Sequence, residues 1–134
     1  MMYLLDTNAC IRLLNRDRSS LVAQRLAMVK PSQVRLCTVV TYELYYGAFK
    51  SQQQERNLGL LDRFCQQFMI LDFDPRAARL AGEIRAMLEG RGEPIGQNDL
   101  KIAAIAVVNG CTLVTHNVRE FSRVRGLEWE DWEV

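Results

Sequence analysis

A single histidine stands in this sequence, and that scarcity excludes two common chemistries at once. A zinc centre built on imidazoles needs several, and hydrolysis by a paired-histidine acid and base needs two. The four cysteines do not fill the gap. Cys10, Cys37, Cys65 and Cys111 are widely spaced without a C-x-x-C pair, and they read as buried thiols of a reducing compartment. Long apolar runs are also missing. None approaches the ~18 residues that cross a bilayer, and no basic segment leads into a long apolar stretch near the N-terminus. No membrane association and a cytoplasmic location are therefore expected. Only three prolines occur, and no repeat, linker or low-complexity tract divides the chain. One domain over residues 1–134 is the expectation.

Charge of one sign is scarce in sum, since the net value is +1, but it is unevenly placed. The last seven residues, EWEDWEV, hold four of the sixteen acids, so residues 1–127 set seventeen basic against twelve acidic groups, a net +5. Fourteen of the seventeen basic residues are arginine, whose planar fork binds phosphate with paired hydrogen bonds and stacks on bases. That leans towards a phosphate-bearing partner, with an ordinary solvated surface as the bland reading.

Short apolar runs alternate with longer stretches of helical period. Strands are expected near 2–5, 34–37, 69–72 and 111–115, with a fifth including Leu127-Glu128-Trp129. Helices are expected near 8–14, 19–29, 39–50, 54–67, 76–91 and 98–109. In the fifth of these, Ala77, Leu80, Ala81, Ile84, Met87 and Leu88 share one face and charged residues the other, so it lies on the surface. The sixth is apolar nearly all round and should be sandwiched. Such alternation implies a three-layer α/β/α sandwich around a central, mainly parallel sheet of four to five strands.

In an open parallel sheet, ligands bind beyond the carboxyl ends of the strands. Asp6 follows the first expected strand and occupies that address, although it would also serve as a helix cap. Thr115-His116-Asn117 follows the fourth. Asp99 opens the sixth helix, either at the same rim or as a first-turn acid complementing the helix dipole. Glu43 lies in the apolar and aromatic stretch VVTYELYYGA and needs a partner there, which is either a cation site or a buried arginine. Three carboxylates in one crevice call for a cation, and oxygen ligands select a hard ion such as Mg²⁺ or Mn²⁺. Phosphodiester hydrolysis follows naturally from such a centre. His116 reads as a loop residue, Trp129 and Trp132 as pins for the C-terminal segment, and Tyr42, Tyr45 and Tyr46 as core or partner-surface residues.

Four segments in order, YLLDTNACI, TYELYYGA, PIGQNDLKIAAIA and LVTHNVREF, the last shortly before GLEWEDW, resemble the PIN-domain ribonucleases, and among them the VapC-type toxins of bacterial toxin-antitoxin systems. The resemblance covers nearly the whole chain. It implies a PIN-like fold and a Mg²⁺- or Mn²⁺-dependent endoribonuclease with its metal among Asp6, Glu43 and Asp99, while Thr7, Asn8 and Thr115 orient ligands and phosphate. A fourth acid is usual in the family near the end of the fourth strand. Here Asn117 stands at that position and Glu120 three residues on, so the fourth ligand is an amide, the displaced Glu120, or water. The resemblance also implies structured RNA, often transfer RNA, as substrate. Its implied partners are a VapB-type antitoxin, whose tail sends an Arg or Lys into the acidic cluster, and a second toxin copy in a homodimer, with operator DNA met only through the antitoxin complex. Water as nucleophile predicts 5′-phosphate and 3′-hydroxyl ends.

Other readings fare worse. A haloacid-dehalogenase-type phosphotransferase wants a second aspartate two residues after the first, where Asn8 stands. A phosphoacceptor receiver domain wants paired acids earlier and a lysine after the last strand. A catalytically impaired PIN-like binding module remains the non-enzymatic alternative, kept open by Asn117.

Overall fold

The computed structural model describes residues 1–15 and 20–134. Its centre is a five-stranded sheet in the order β3-β2-β1-β4-β5, built from β1 (Tyr3–Leu5), β2 (Val34–Cys37), β3 (Met69–Leu71), β4 (Thr112–Val114) and β5 (Trp129–Glu130). Every pairing is parallel. The central strands are buried on both sides and therefore read as near-continuous apolar runs, as YLL and TLV do.

Around the sheet run α1 (Thr7–Leu14), α2 (Leu21–Leu26), α3 (Thr38–Lys50), α4 (Gln54–Cys65), α5 (Pro75–Gly90), α6 (Gln97–Val108) and the short α7 (Val118–Phe121). The chain moves outwards from β1 to β3, then returns to β4 and continues to β5. Right-handed crossovers consequently put the early helices on one face and the later ones on the other, giving three layers. The packing follows: α3 lies on α4 and α1, and α5 lies on α6. The reversal of direction makes the gap between β1 and β4 the switch point at which a crevice opens.

Local chemistry explains the helix starts. The Asp6 and Asp74 carboxylates accept from the amides of Ala9 and Ala77 and so cap α1 and α5, and the Ser20 hydroxyl accepts from Ala23 to cap α2. In α6 the residues Ile102, Ala103, Ala104, Ile105 and Ala106 are all buried. The three alanines among them let the helix lie close to its neighbours, while the two isoleucines fill the core. Gly110, with φ +65°, takes the left-handed turn that brings the chain from α6 into β4.

The differences from the sequence reading have local causes. The helix expected over 19–29 has its first residue outside the described residues and ends at Leu26, because Pro31 opens a 3₁₀ turn (Pro31–Gln33). The fourth strand is shorter than 111–115. The fifth is Trp129–Glu130, set by pairing with Leu113 and Val114 rather than by its own composition. Helix α7 was not anticipated, since four residues carry no period. Trp132 is buried with its ring edge-on to Tyr3 at 5.2 Å and pins the C-terminal segment, whereas Trp129 is exposed and does not.

Candidate active site

The first residue after β1 is Asp6 and the first after β4 is Thr115, so both face the switch-point crevice. They are joined there, because the Asp6 amide donates to the Val114 carbonyl at 3.1 Å and the Thr115 hydroxyl bonds the Asp6 carboxylate. Asp6 is buried, and burial pushes its carboxyl above the ordinary aspartate range. The Ala9 amide, 2.8 Å from Oδ1, and Thr115 pull it back, while Glu133 and Glu43 push it further up. Asp6 is therefore a helix cap and a crevice acid together.

Helix α3 brings Glu43 to the same place. Thr7, the first residue of α1, donates through Oγ1 to Glu43 Oε1 at 2.6 Å. From α6, Asn98 Nδ2 donates to Glu43 Oε2 at 3.3 Å. Both carboxylate oxygens are thus held by neutral groups, and among the described residues no buried arginine pairs with Glu43.

Asp99, in the first turn of α6, is pushed up to about 6. Burial is the largest cause, followed by the charges of Glu120, Glu43 and Asp6 and a hydrogen bond with Glu120. The two candidates for the missing fourth acid thereby separate. Asn117 donates through Nδ2 to Glu120 Oε2 at 3.2 Å, and its own amide donates to Thr115 Oγ1 at 3.0 Å. The amide braces and the glutamate, on α7, stands beside Asp99. Asn8 is exposed at the rim.

Four carboxylates, from Asp6, Glu43, Asp99 and Glu120, thus sense one another in one crevice. Among the described residues none has a Lys or Arg within 4.0 Å, since the ion pairs there involve other acids. Uncompensated acids in a partly buried site are what a divalent cation offsets, and an all-oxygen donor set suits a hard one. The cluster is open. Among the described residues the group whose ligand atoms all lie within 4.8 Å of one another is His116, Asp131 and Glu133, a set the sequence did not single out. Wider spacing in the acid crevice fits an ion that keeps several waters between itself and the protein.

Sequence reasoning missed Asn98, Asp131 and Glu133. Asn98 adjoins Asp99 in an N-D pair that could have been weighed, since an amide in a helix's first turn next to an acid invites a bracing role. The two C-terminal acids gave no such signal, because only the β4–β5 pairing brings them to the crevice.

Comparison with known proteins places the chain in a family. The PIN domain family model matches residues 3–127. The chain is 42% identical over 132 residues to the tRNA(fMet)-specific endonuclease VapC of Shigella flexneri, covering 97% of each chain. It is 38% identical over 133 residues to ribonuclease VapC2 of Rickettsia felis, covering 99% of each. Its fold superposes with a TM-score of 0.91 on a chain of the DNA-bound VapBC complex of Salmonella typhimurium, at 37% identity and 98% coverage of both chains. An acid crevice at the switch point of a parallel sheet and full-length likeness to these nucleases place the chain in the PIN domain family, among the VapC ribonucleases.

Proposed function

We propose that this chain is the endoribonuclease toxin of a bacterial toxin-antitoxin pair, hydrolysing a phosphodiester bond of structured RNA with a divalent cation held among Asp6, Glu43, Asp99 and Glu120. The observation that carries the reading is the meeting of four carboxylates from separate segments with no basic counter-ion within 4.0 Å among the described residues. Mg²⁺ is the proposed ion and Mn²⁺ the substitute. When bound, such an ion lowers the pKa of water and offsets charge developing on phosphate.

The chain's own groups do the rest. Asp6 and Asp99 supply the anionic floor, with Asp6 held by Ala9 and Thr115. Glu120, braced by Asn117, supplies the fourth carboxylate. Glu43, fixed at both oxygens by Thr7 and Asn98, orients the attacking water and takes its proton. Asn8 at the rim orients the phosphate. The water oxygen joins phosphorus as the bond to the 3′-oxygen breaks, and that oxygen leaves with a proton, giving 5′-phosphate and 3′-hydroxyl ends.

The proposed substrate is tRNA, after the name of the Shigella relative. The proposed partner is a VapB-type antitoxin, after the Salmonella complex, with operator DNA reached only through that complex. A homodimer in the cytoplasm, each copy one domain over 1–134, completes the proposal. The exposed Tyr42, Tyr46 and Phe49 of α3 are the proposed contact surface. Among the described residues no helix is long and apolar enough to cross a membrane.

The impaired binding module rested on Asn117 replacing an acid. Glu120 beside Asp99 favours the enzyme. The test is incubation of the purified chain with tRNA(fMet) transcript in Mg²⁺ or in chelator, followed by mapping of the ends. Cleavage with Mg²⁺ that fails in chelator and in Asp6→Asn is expected. Cyclic 2′,3′-phosphate ends, or an Asp6→Asn protein as active as the parent, would overturn the reading.

A further inference from the structure

Beside the carboxylates lies an open cleft of about 490 Å³ lined by Asn8, Ile11, Arg12, His116, Asn117 and Glu133. Asn8 and Asn117 belong also to the rim of the acid crevice, so the two spaces adjoin. Arg12 and His116 have no part in hydrolysis as described above. Each is nonetheless held in place. Arg12 Nε pairs with Glu133 Oε1 at 3.1 Å and His116 Nδ1 contacts Asp131 Oδ2 at 2.9 Å. Both remain more than half exposed, at 58% and 57%, while the two acids are largely covered, at 17% and 11%. The acids are behind and the basic side chains in front.

A metal is one candidate occupant, since His116, Asp131 and Glu133 bring three ligand atoms within 4.8 Å of one another. All three groups already have partners: His116 Nδ1 sits at hydrogen-bond distance from Asp131 and Glu133 is paired with Arg12. An anion fits better. The acid crevice repels a polyanion, so RNA entering it needs a cation close by, and among the described residues Arg12 is the Arg or Lys that lines this cleft. A guanidinium engaged through its inner nitrogen keeps its fork shape for phosphate. An imidazole anchored at one edge and open elsewhere suits an unstacked base. The volume is that of a small-ligand pocket.

We propose that this cleft seats the nucleotide flanking the scissile bond, Arg12 binding its phosphate and the His116 ring stacking on its base; the proposal rests on the nuclease reading above. Both are substrate-binding groups and set how RNA lies across the carboxylates.

The test is steady-state cleavage of tRNA(fMet) transcript in Mg²⁺ by the full chain and its Arg12→Ala, His116→Ala, His116→Phe and Glu133→Gln variants. Arg12→Ala and His116→Ala are expected to raise KM by about tenfold with kcat nearly unchanged. His116→Phe, which keeps a stacking face, returns KM towards the parent value. The salt dependence of KM becomes shallower in Arg12→Ala by one phosphate contact. Glu133→Gln removes the tether and leaves Arg12, so its KM stays near the parent value or falls. Unchanged KM and salt slope in both alanine variants overturn the subsite, as does a Glu133→Gln variant that matches Arg12→Ala, since the tether alone would then account for the loss. A parent protein that cuts no tRNA, or an Asp6→Asn control that cuts as well as the parent, defeats the nuclease reading instead.

Discussion

Asp6 takes two roles from one position, because a residue that ends a strand and caps the next helix in a parallel sheet also faces the ligand crevice. The choice of substitution then matters. Asp6→Asn keeps a side-chain oxygen for the Ala9 amide while removing the charge, so cleavage should fall by on the order of 10²–10³-fold with no loss of melting temperature. Asp6→Ala also removes the cap and should be less stable than Asp6→Asn by about 1 kcal/mol. Rate assays and thermal melts on the two proteins check both statements. Asp99 gives a pH prediction. Its folded-state carboxyl sits at about 6 against an ordinary 3.8, so the folded protein binds the proton more tightly than the unfolded chain. The stability this supplies is complete below pH 4 and is lost as pH rises through 6. Without metal, the melting temperature should fall between pH 4 and 7, and Asp99→Asn should make that slope shallower, part of the remainder coming from Asp6, whose carboxyl burial also raises. The gain at pH 7 should be on the order of 1 kcal/mol, discounted because the group is partly exposed. His116, raised chiefly by its hydrogen bond with Asp131, acts in the same direction, so the difference between parent and Asp99→Asn is the measurement that isolates Asp99.

Elements were legible where their period was long. The sixteen residues of α5 alternate buried Ala77, Ala81, Ile84 and Leu88 with exposed charge, and an amphipathic stripe of that length has one reading. Helix α6 was legible for the opposite reason, since it is apolar all round and can only be sandwiched. Ile105 is fully buried there, so Ile105→Ala should cost about 2–4 kcal/mol, measured by denaturant unfolding. The tertiary consequence should also appear as weaker metal binding, because α6 carries Asp99 and Asn98. Helix α7 and strand β5 were illegible because each is too short to show a pattern. Pairing with β4 and docking against the sheet create them. The same holds for Trp129 and Trp132, three residues apart and alike in sequence, one exposed and the other packed on Tyr3.

At the scale of the whole molecule, the acid cluster, which has no Lys or Arg within 4.0 Å among the described residues, and the proposed cation are two sides of one linkage. A cation that binds the folded state alone should stabilise it by about 2.7 kcal/mol at a hundredfold excess over its dissociation constant. Calorimetric melts with and without Mg²⁺ should show that gain in the parent and its loss in Asp6→Asn.

Composition, periodicity and the four motif segments by themselves determined the α/β class, the helices longer than two turns and the crevice address of Asp6, and they singled out Asp6, Glu43 and Asp99 as the acids to which the proposed cation is assigned. These are local or additive properties, and a residue's type and its place in a period carry them. Only the tertiary structure decided that Thr7 and Asn98 hold Glu43, that Glu120 rather than Asn117 stands beside Asp99, and that the C-terminal acids Asp131 and Glu133 tether His116 and Arg12 at the mouth. Those contacts join residues far apart in the chain, Asn98 to Glu43 across 55 positions and Glu133 to Arg12 across nearly its whole length. They depend on sheet order and register, because β4 must lie beside β1 and β5 beside β4 before the side chains can meet.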